Sequence, residues 1–200
     1  MDLFLAISQG TGLALATGVR PFLPPLVAGA LARADAGLDF SGTDYSFLES
    51  IPFLAAMVVV ALAATVVERR GPGRALALGV AAVALVLGAL EFAGSLAGEG
   101  HQAAPGLVAG AALALLAYLA AALFLGRARE RLVTRDRQRS DTSGADSGLN
   151  LVGDAAAVCL AAVAIFVPPA SYLALLFFGW VLIQGRRREA RKYEGLRILR

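Results

Sequence analysis

Apolar residues run along this chain in six blocks, at about residues 3 to 33, 51 to 67, 75 to 97, 105 to 126, 149 to 167 and 170 to 185, parted by short polar or charged stretches. A helix needs about 20 mostly apolar residues to cross about 30 Å of hydrocarbon. The pattern therefore predicts an all-α fold, a polytopic transmembrane helical bundle of about six spans. The blocks fill most of the 200 residues, so residues 1–200 are read as a single transmembrane domain.

The first block is too long for one crossing. As a straight helix its residues would reach about 46 Å, half again the hydrocarbon thickness. Its middle reads GVRPFLPPLVAG, with Pro21, Pro24 and Pro25 close behind Arg20. Proline removes a backbone donor and pushes the preceding residue out of the helical region, which predicts a break within residues 20 to 25. Irregular backbone at membrane depth is tolerated where protein or a water-filled cavity satisfies it, and transporters place solute sites at such breaks. Two placements stay open: a span of residues 3 to 19 with Arg20 at the outer interface, or a span of residues 11 to 33 with Arg20 near mid-depth. A faint echo, FLPP at 22 to 25 and FVPP at 166 to 169, suggests a parallel internal repeat. The second proline pair predicts a tight turn between the last two blocks.

Charge adds a direction. Basic residues cluster in ERRGPGR (68 to 74), RARERLVTRDRQR (127 to 139) and GRRREARKYEGLRILR (185 to 200), whereas residues 34 to 50 hold four acids and no base. Positive loops face the cytoplasm. Alternating crossings then give a multi-pass protein of the cell membrane with both termini cytoplasmic. Residues 127–148 form a basic and polar cytoplasmic linker between two halves, mobile over 135 to 148, and residues 186–200 a basic tail. The expected partners are the lipid bilayer, anionic lipids at the basic patches and a second copy of the chain in a homo-oligomer, with no nucleic acid. MDLFLAIS lacks a basic start and a cleavage pattern, so no removable signal peptide is expected.

Composition agrees with this class: 58% of residues are hydrophobic and 16% charged, against about 45–50% and about 25% in soluble domains. Arginine outnumbers lysine seventeen to one in an alanine-rich chain, which points to a GC-rich bacterial genome.

Two further acids stand inside apolar blocks. Ala81, Ala84, Gly88, Glu91, Ser95 and Gly98 step by three and four, a stripe of small residues carrying a carboxylate on one helix face. Glu91 is expected either to point into the bundle or to lie already near the outer headgroups. Asp154 repeats the device with Ala157, Ala161, Ala164 and Pro168, one turn after Asn150; its alternative role is a helix start. Gly18, Arg20, Phe22, Pro24, Pro25, Glu91 and Asp154 are the candidate solute-binding residues, and Arg20 is expected to pair with Glu91.

Enzyme chemistry is poorly supplied. His101 is the single histidine and Cys159, expected to be buried as a small apolar side chain, the single cysteine. Triads, thiolate clusters and multi-histidine metal sites are absent, as are a P-loop and H-E-x-x-H. Neither cofactor nor metal is expected. The acids Asp35, Asp39, Asp44 and Glu49 lack calcium-loop spacing and read as a solvated loop.

The core Gly18, Arg20, Phe22, Leu23 and Pro24, within GLALATGVRPFLPPLVAGALAR, resembles the opening motif of the uncharacterised prokaryotic membrane family catalogued as domain of unknown function 4126. The resemblance extends loosely over residues 47 to 68 and 150 to 182. It implies a polytopic membrane protein and emphasises Arg20, without assigning a reaction. The functional expectation is a small transporter or channel-like protein with its site at the broken first helix. The rival is a non-catalytic structural or partner-binding membrane protein, packed through the pairs Gly94 with Gly98 and Gly106 with Gly110.

Overall fold

The computed structural model describes residues 3–68, 73–136 and 142–194. The described chain is helical: α1 (Leu3–Val19), α2 (Leu23–Arg33), α3 (Ile51–Glu68), α4 (Arg74–Gly98), α5 (Ala104–Asp136), α6 (Thr142–Phe166) and α7 (Ser171–Glu194), with 3-10 turns at Ser46–Glu49 and Pro168–Ala170. Three helices are long and apolar enough to cross a membrane, Ala75–Gly98, Ala104–Gly126 and Pro168–Gly185. The sequence reading counted six. The other apolar helices, Leu3–Val19, Ile51–Val67 and Asn150–Phe166, are shorter, because proline or polar residues bound each of them within its block.

α1 is the hub, and its composition explains why. The stretch from Ser8 to Gly18 is buried without interruption, with α4, α5, α6 and α7 packed around it. Glycine, alanine, serine and threonine make up most of that stretch, and small residues let helices approach closely where lipid supplies no hydrophobic drive between them. Gly18 faces the backbone of Ala114, and Gly12 faces Ala164 and Ser171. Outward from this hub the surface is apolar: Val59, Val108, Leu151, Leu173 and Leu176 are all exposed, Val108 at 75%. A soluble monomer seldom shows such continuous apolar cover. The fold is a helical bundle of membrane character.

The break falls where proline chemistry puts it. α1 ends as the Arg20 N–H donates to the Ala16 carbonyl at 3.1 Å, residues 20 to 22 are bent, and α2 starts with Pro24 and Pro25 in its first turn, where helix N–H groups have no intrahelical acceptor. The direction of α2 differs from expectation. The Gln9 amide donates to the Gly37 carbonyl at 2.8 Å, and Ile165 packs on Gly37 and, with Leu13, in one core cluster. The chain after α2 has thus returned to the level of α1's first half. Residues 3 to 33 form a helical hairpin with its tip at Arg20: the helix over residues 3 to 19 ending at Arg20, as in the first placement, is found, and a continuous span of residues 11 to 33 is not.

Leu3 and the acidic loop after Arg33 lie at the same end of the bundle, whereas the single crossing expected of this block would put them at opposite ends. The opposite end gathers Arg20 with Thr65 late in α3, Leu76 early in α4, Gly126 and Asn150, which is the end of the basic stretches. The charge rule could not register the reversal. With Arg20 at a turn on the basic end, a hairpin satisfies the rule as well as a crossing does.

The proline pair at 168 and 169 does turn the chain. Ala164 and Ser171 both face Gly12, although seven residues of unbroken helix would separate them by about 10 Å. The FLPP and FVPP breaks therefore lie at opposite ends of the bundle, which does not fit a parallel repeat. Most of the expected mobile linker is helix: α5 continues to Asp136 and α6 begins at Thr142, while residues 137–141 lie outside the described ones. The expected basic tail is helical to Glu194, and residues 195–200 lie outside.

The glycine pairs are used within the chain. Gly106 meets the backbone of Ala93, and Gly110 meets the Gly88 carbonyl, Phe92 and Ala89, so α4 and α5 cross in close contact. Gly94 faces Phe40, and Gly98 the Asp39 carbonyl. Cys159 is exposed, not buried, because in lipid an outward position is as apolar as an inward one. A methyl at Gly110 would lie 2.7 Å from Phe92 Cβ and 2.9 Å from Ala89 Cα. Gly110→Ala is therefore expected to cost about 1–3 kcal/mol, read by denaturant unfolding in detergent, whereas Gly79→Ala, with open space around it, leaves stability unchanged or raises it by up to about 1 kcal/mol.

Candidate functional site

The tip of the first hairpin opens into a cavity of about 510 Å³. One wall is the break itself, Val19 to Leu23. Ala61, Leu62 and Thr65 of α3 face it, with Ala77 and Val80 of α4, Tyr118 and Ala122 of α5, and Asn150 and Asp154 of α6. It exists because α3 is held mainly at its start, by α2 and the Ser46–Glu49 turn. Its second half stands away from the bundle.

Charge is gathered at one side of this cavity. Arg20 Nε lies 2.8 Å from Asp154 Oδ1, and the two side chains are 16% and 40% exposed. Arg20 Nη2 donates to Asn150 Oδ1 at 3.1 Å and to the Asn150 carbonyl at 3.3 Å. The guanidinium lies over Gly153 of α6, where a methyl would be in ordinary contact with Arg20 Nε at 3.4 Å. Asp154 sits one turn after Asn150, which puts both acceptors on one face. An arginine in a membrane is costly unless it is wet or paired. Here it has a carboxylate, an amide oxygen and a carbonyl, beside a cavity.

Glu91 is elsewhere. It points into the bundle, 1% exposed, and accepts a hydrogen bond from Thr17 Oγ1 at Oε2. This decides between the two placements weighed for it and corrects its partner: Arg20 pairs with Asp154, not Glu91. Thr17 and Arg20 are three residues apart, so they leave α1 in directions about 60° apart and meet different helices. Of the candidate residues, the structure brings Arg20, Phe22 and Asp154 to the cavity. Gly18 is a packing residue against Ala114 and Ala117, Pro24 and Pro25 are buried at the start of α2, and Glu91 belongs to a separate buried pair. Thr17, Tyr118 and Thr65 were missed. Thr17 carried a signal, being a hydroxyl in an otherwise apolar turn just before the break.

At the acidic end, Asp39 Oδ1 accepts from the Ser41 hydroxyl at 2.5 Å and the Ser41 N–H at 2.8 Å. These bonds hold its carboxyl below the ordinary carboxylate value. No group of three or more His, Cys, Asp or Glu placed to hold a metal occurs among the described residues.

Comparison with protein-family models, with curated proteins and with solved structures finds no match. The fold and its surface define the class: a helical, membrane-embedded protein with several apolar helices.

Two measurements check this geometry. In a double-mutant cycle of Arg20→Ala and Asp154→Ala, read by unfolding in detergent, a coupling of about 1 kcal/mol is expected, the value being modest because the pair is partly exposed. The cycle of Arg20→Ala with Glu91→Gln is expected to be additive to within about 0.5 kcal/mol. At the other end, Ser41→Ala removes the hydroxyl donor, and NMR titration of Asp39 is expected to show its pKa rising toward the ordinary range.

Proposed function

We propose that this chain is a small transporter or channel-like protein whose solute site is the cavity at the hairpin tip. One observation carries the reading: the broken helix, its arginine and the acceptors from α6 border a single cavity whose volume lies within the range of about 300–1,000 Å³ typical of small-molecule sites. Its walls are largely apolar, and its charged groups stand at one side. This suits a small solute or an amphiphile with one charged or strongly polar end. A solute group that competes for Asp154 or Asn150 would loosen Arg20 and with it the turn between α1 and α2. Non-catalytic action fits the residue set, since the site offers no nucleophile paired with a base.

The wider setting is part of the same proposal. The three shorter apolar helices complete the bundle in the bilayer, and the basic end, with Arg20, faces the cytoplasm by the charge rule. Basic stretches there meet anionic lipids. In this reading the protein resides in the cell membrane, and its opening motif resembles that of the family of domain of unknown function 4126. The structural or partner-binding alternative drew its support from the glycine pairs. Within one chain Gly106 and Gly110 pack on α4, and Gly94 and Gly98 on Phe40 and the Asp39 carbonyl, which favours the transport reading over that alternative.

Cysteine scanning tests the reading. In a variant lacking Cys159, single cysteines at Phe22, Leu23, Ala61 and Thr65 are expected to react with a water-soluble thiol reagent, while those at Gly18, Pro24 and Pro25 stay protected. Silence at all of these positions, with a control cysteine at Ser41 reacting, would remove the aqueous site and the transport reading with it.

A further inference from the structure

Glu91 lies outside the cavity, and its surroundings pose a separate question. Its side chain is enclosed on every side. Oε2 is taken by the Thr17 hydroxyl, and Oε1 has no hydrogen-bond partner among the described residues. Groups that could balance a charge are missing from the helices packed there. Residues 3 to 19 carry no charged side chain, residues 75 to 98 carry only Glu91, and residues 104 to 126 carry none. Titratable groups on other helices of the bundle are engaged: the Tyr118 hydroxyl donates to the Ala77 carbonyl at 3.1 Å, Asp154 holds Arg20, and the Tyr172 hydroxyl accepts from Ser8 Oγ at 3.2 Å.

A purely structural carboxyl would be expected to have both oxygens satisfied, since an unmade buried hydrogen bond costs about 1–3 kcal/mol. An apolar side chain of the same volume would fit this packing better. Retaining a carboxyl here makes physical sense if Oε1 has a transient partner. A metal cation is a poor candidate, because ions such as calcium take about six to eight oxygens and no second acid joins Glu91 in a metal-holding group among the described residues. A proton needs one.

The location gives it a lever. Thr17 stands on the last turn of α1, next to the break, and Arg20 ties that turn to α6. We propose that Glu91 is a proton-carrying site: Oε1 takes a proton from hydronium, leaving water, when the last turn of α1 moves Thr17 away from the carboxyl, and returns it to water, forming hydronium, when the Thr17 hydroxyl donates to the carboxylate again. Its link to solute movement rests on the transport reading of the neighbouring cavity; proton binding itself does not.

Infrared difference spectroscopy on the full-length protein in lipid vesicles tests this without any solute. As pH is varied, the wild type is expected to show one carboxylic-acid carbonyl band that converts reversibly to carboxylate bands, equally with and without sodium, and that is missing in Glu91→Gln. Thr17→Val, which keeps the side-chain shape and serves should Glu91→Gln fail to fold, is expected to displace the midpoint of that band by up to about one pH unit. A band that never titrates, one that survives Glu91→Gln, one unmoved by Thr17→Val, or one abolished by sodium would each overturn the proposal. Because thiol labelling at the break decides the transport reading separately, a titrating band with a silent break leaves the proton site standing and removes only its link to transport.

Discussion

A guanidinium in an apolar chain must find its partners inside the protein or at the water's edge, and the architecture follows from how Arg20 does so. Prolines end α1 just past it. The chain then reverses, and the charge is left at the tip of a hairpin. α6 answers with Asp154 and Asn150 one turn apart and with Gly153 beneath the guanidinium. This joint fixes the tip of the first hairpin to a helix over a hundred residues later in sequence. It also fixes which end of α6 lies beside which end of α1.

Three other polar residues of α1, Ser8, Gln9 and Thr17, repeat the logic with neutral groups. Ser8 meets Tyr172 of α7, Gln9 the carbonyl of Gly37, Thr17 the carboxyl of Glu91, and the Ala6 carbonyl accepts from Ser95. Between lipid-facing helices, packing and such hydrogen bonds take the place of the hydrophobic drive. Among its described side chains α3 shows none: its Thr65 hydroxyl donates to its own helix, at the Ala61 carbonyl. A helix with no polar tie to its neighbours has only packing at its start to hold it. The cavity lies where those ties run out.

What the sequence made legible divides along physical lines. The break at residues 20 to 22 was readable because proline acts locally, and Glu91's inward face was readable as one of two placements because small residues recur at helical spacing. The turn at Pro168 and Pro169 followed from the same local chemistry. Direction was not local. Whether the chain goes on or comes back after Phe22 depends on contacts such as Gln9 with Gly37, which no spacing encodes. The partner of Arg20 was misread for the same reason: Glu91 and Asp154 are both lone acids in apolar helices, and only the hairpin brings the second within reach. Cys159 shows a different limit, since hydropathy in a membrane protein cannot tell lipid from core.

The cavity and the buried carboxyl are neighbours through one turn of helix. Thr17 and Arg20 are separated along α1 by about 4.5 Å and around it by about 60°, so one faces Glu91 on α4 and the other Asp154 on α6. Rotation of that turn about the helix axis moves both side chains in the same sense. It cannot tighten the grip of one on its helix without altering the grip of the other. The turn is also the end of α1, with proline instead of a continuing hydrogen-bonded ladder beyond it, so little backbone resists such a rotation. Packing upstream is close: Gly10 sits flush against Phe92 and Ser95 and Gly12 against Ala164 and Ser171, which opposes sliding of α1 as a rod. Within the last turn Gly18 lies against Ala114 and Ala117, so a rotation there that shifts the two polar pairs also works against α5.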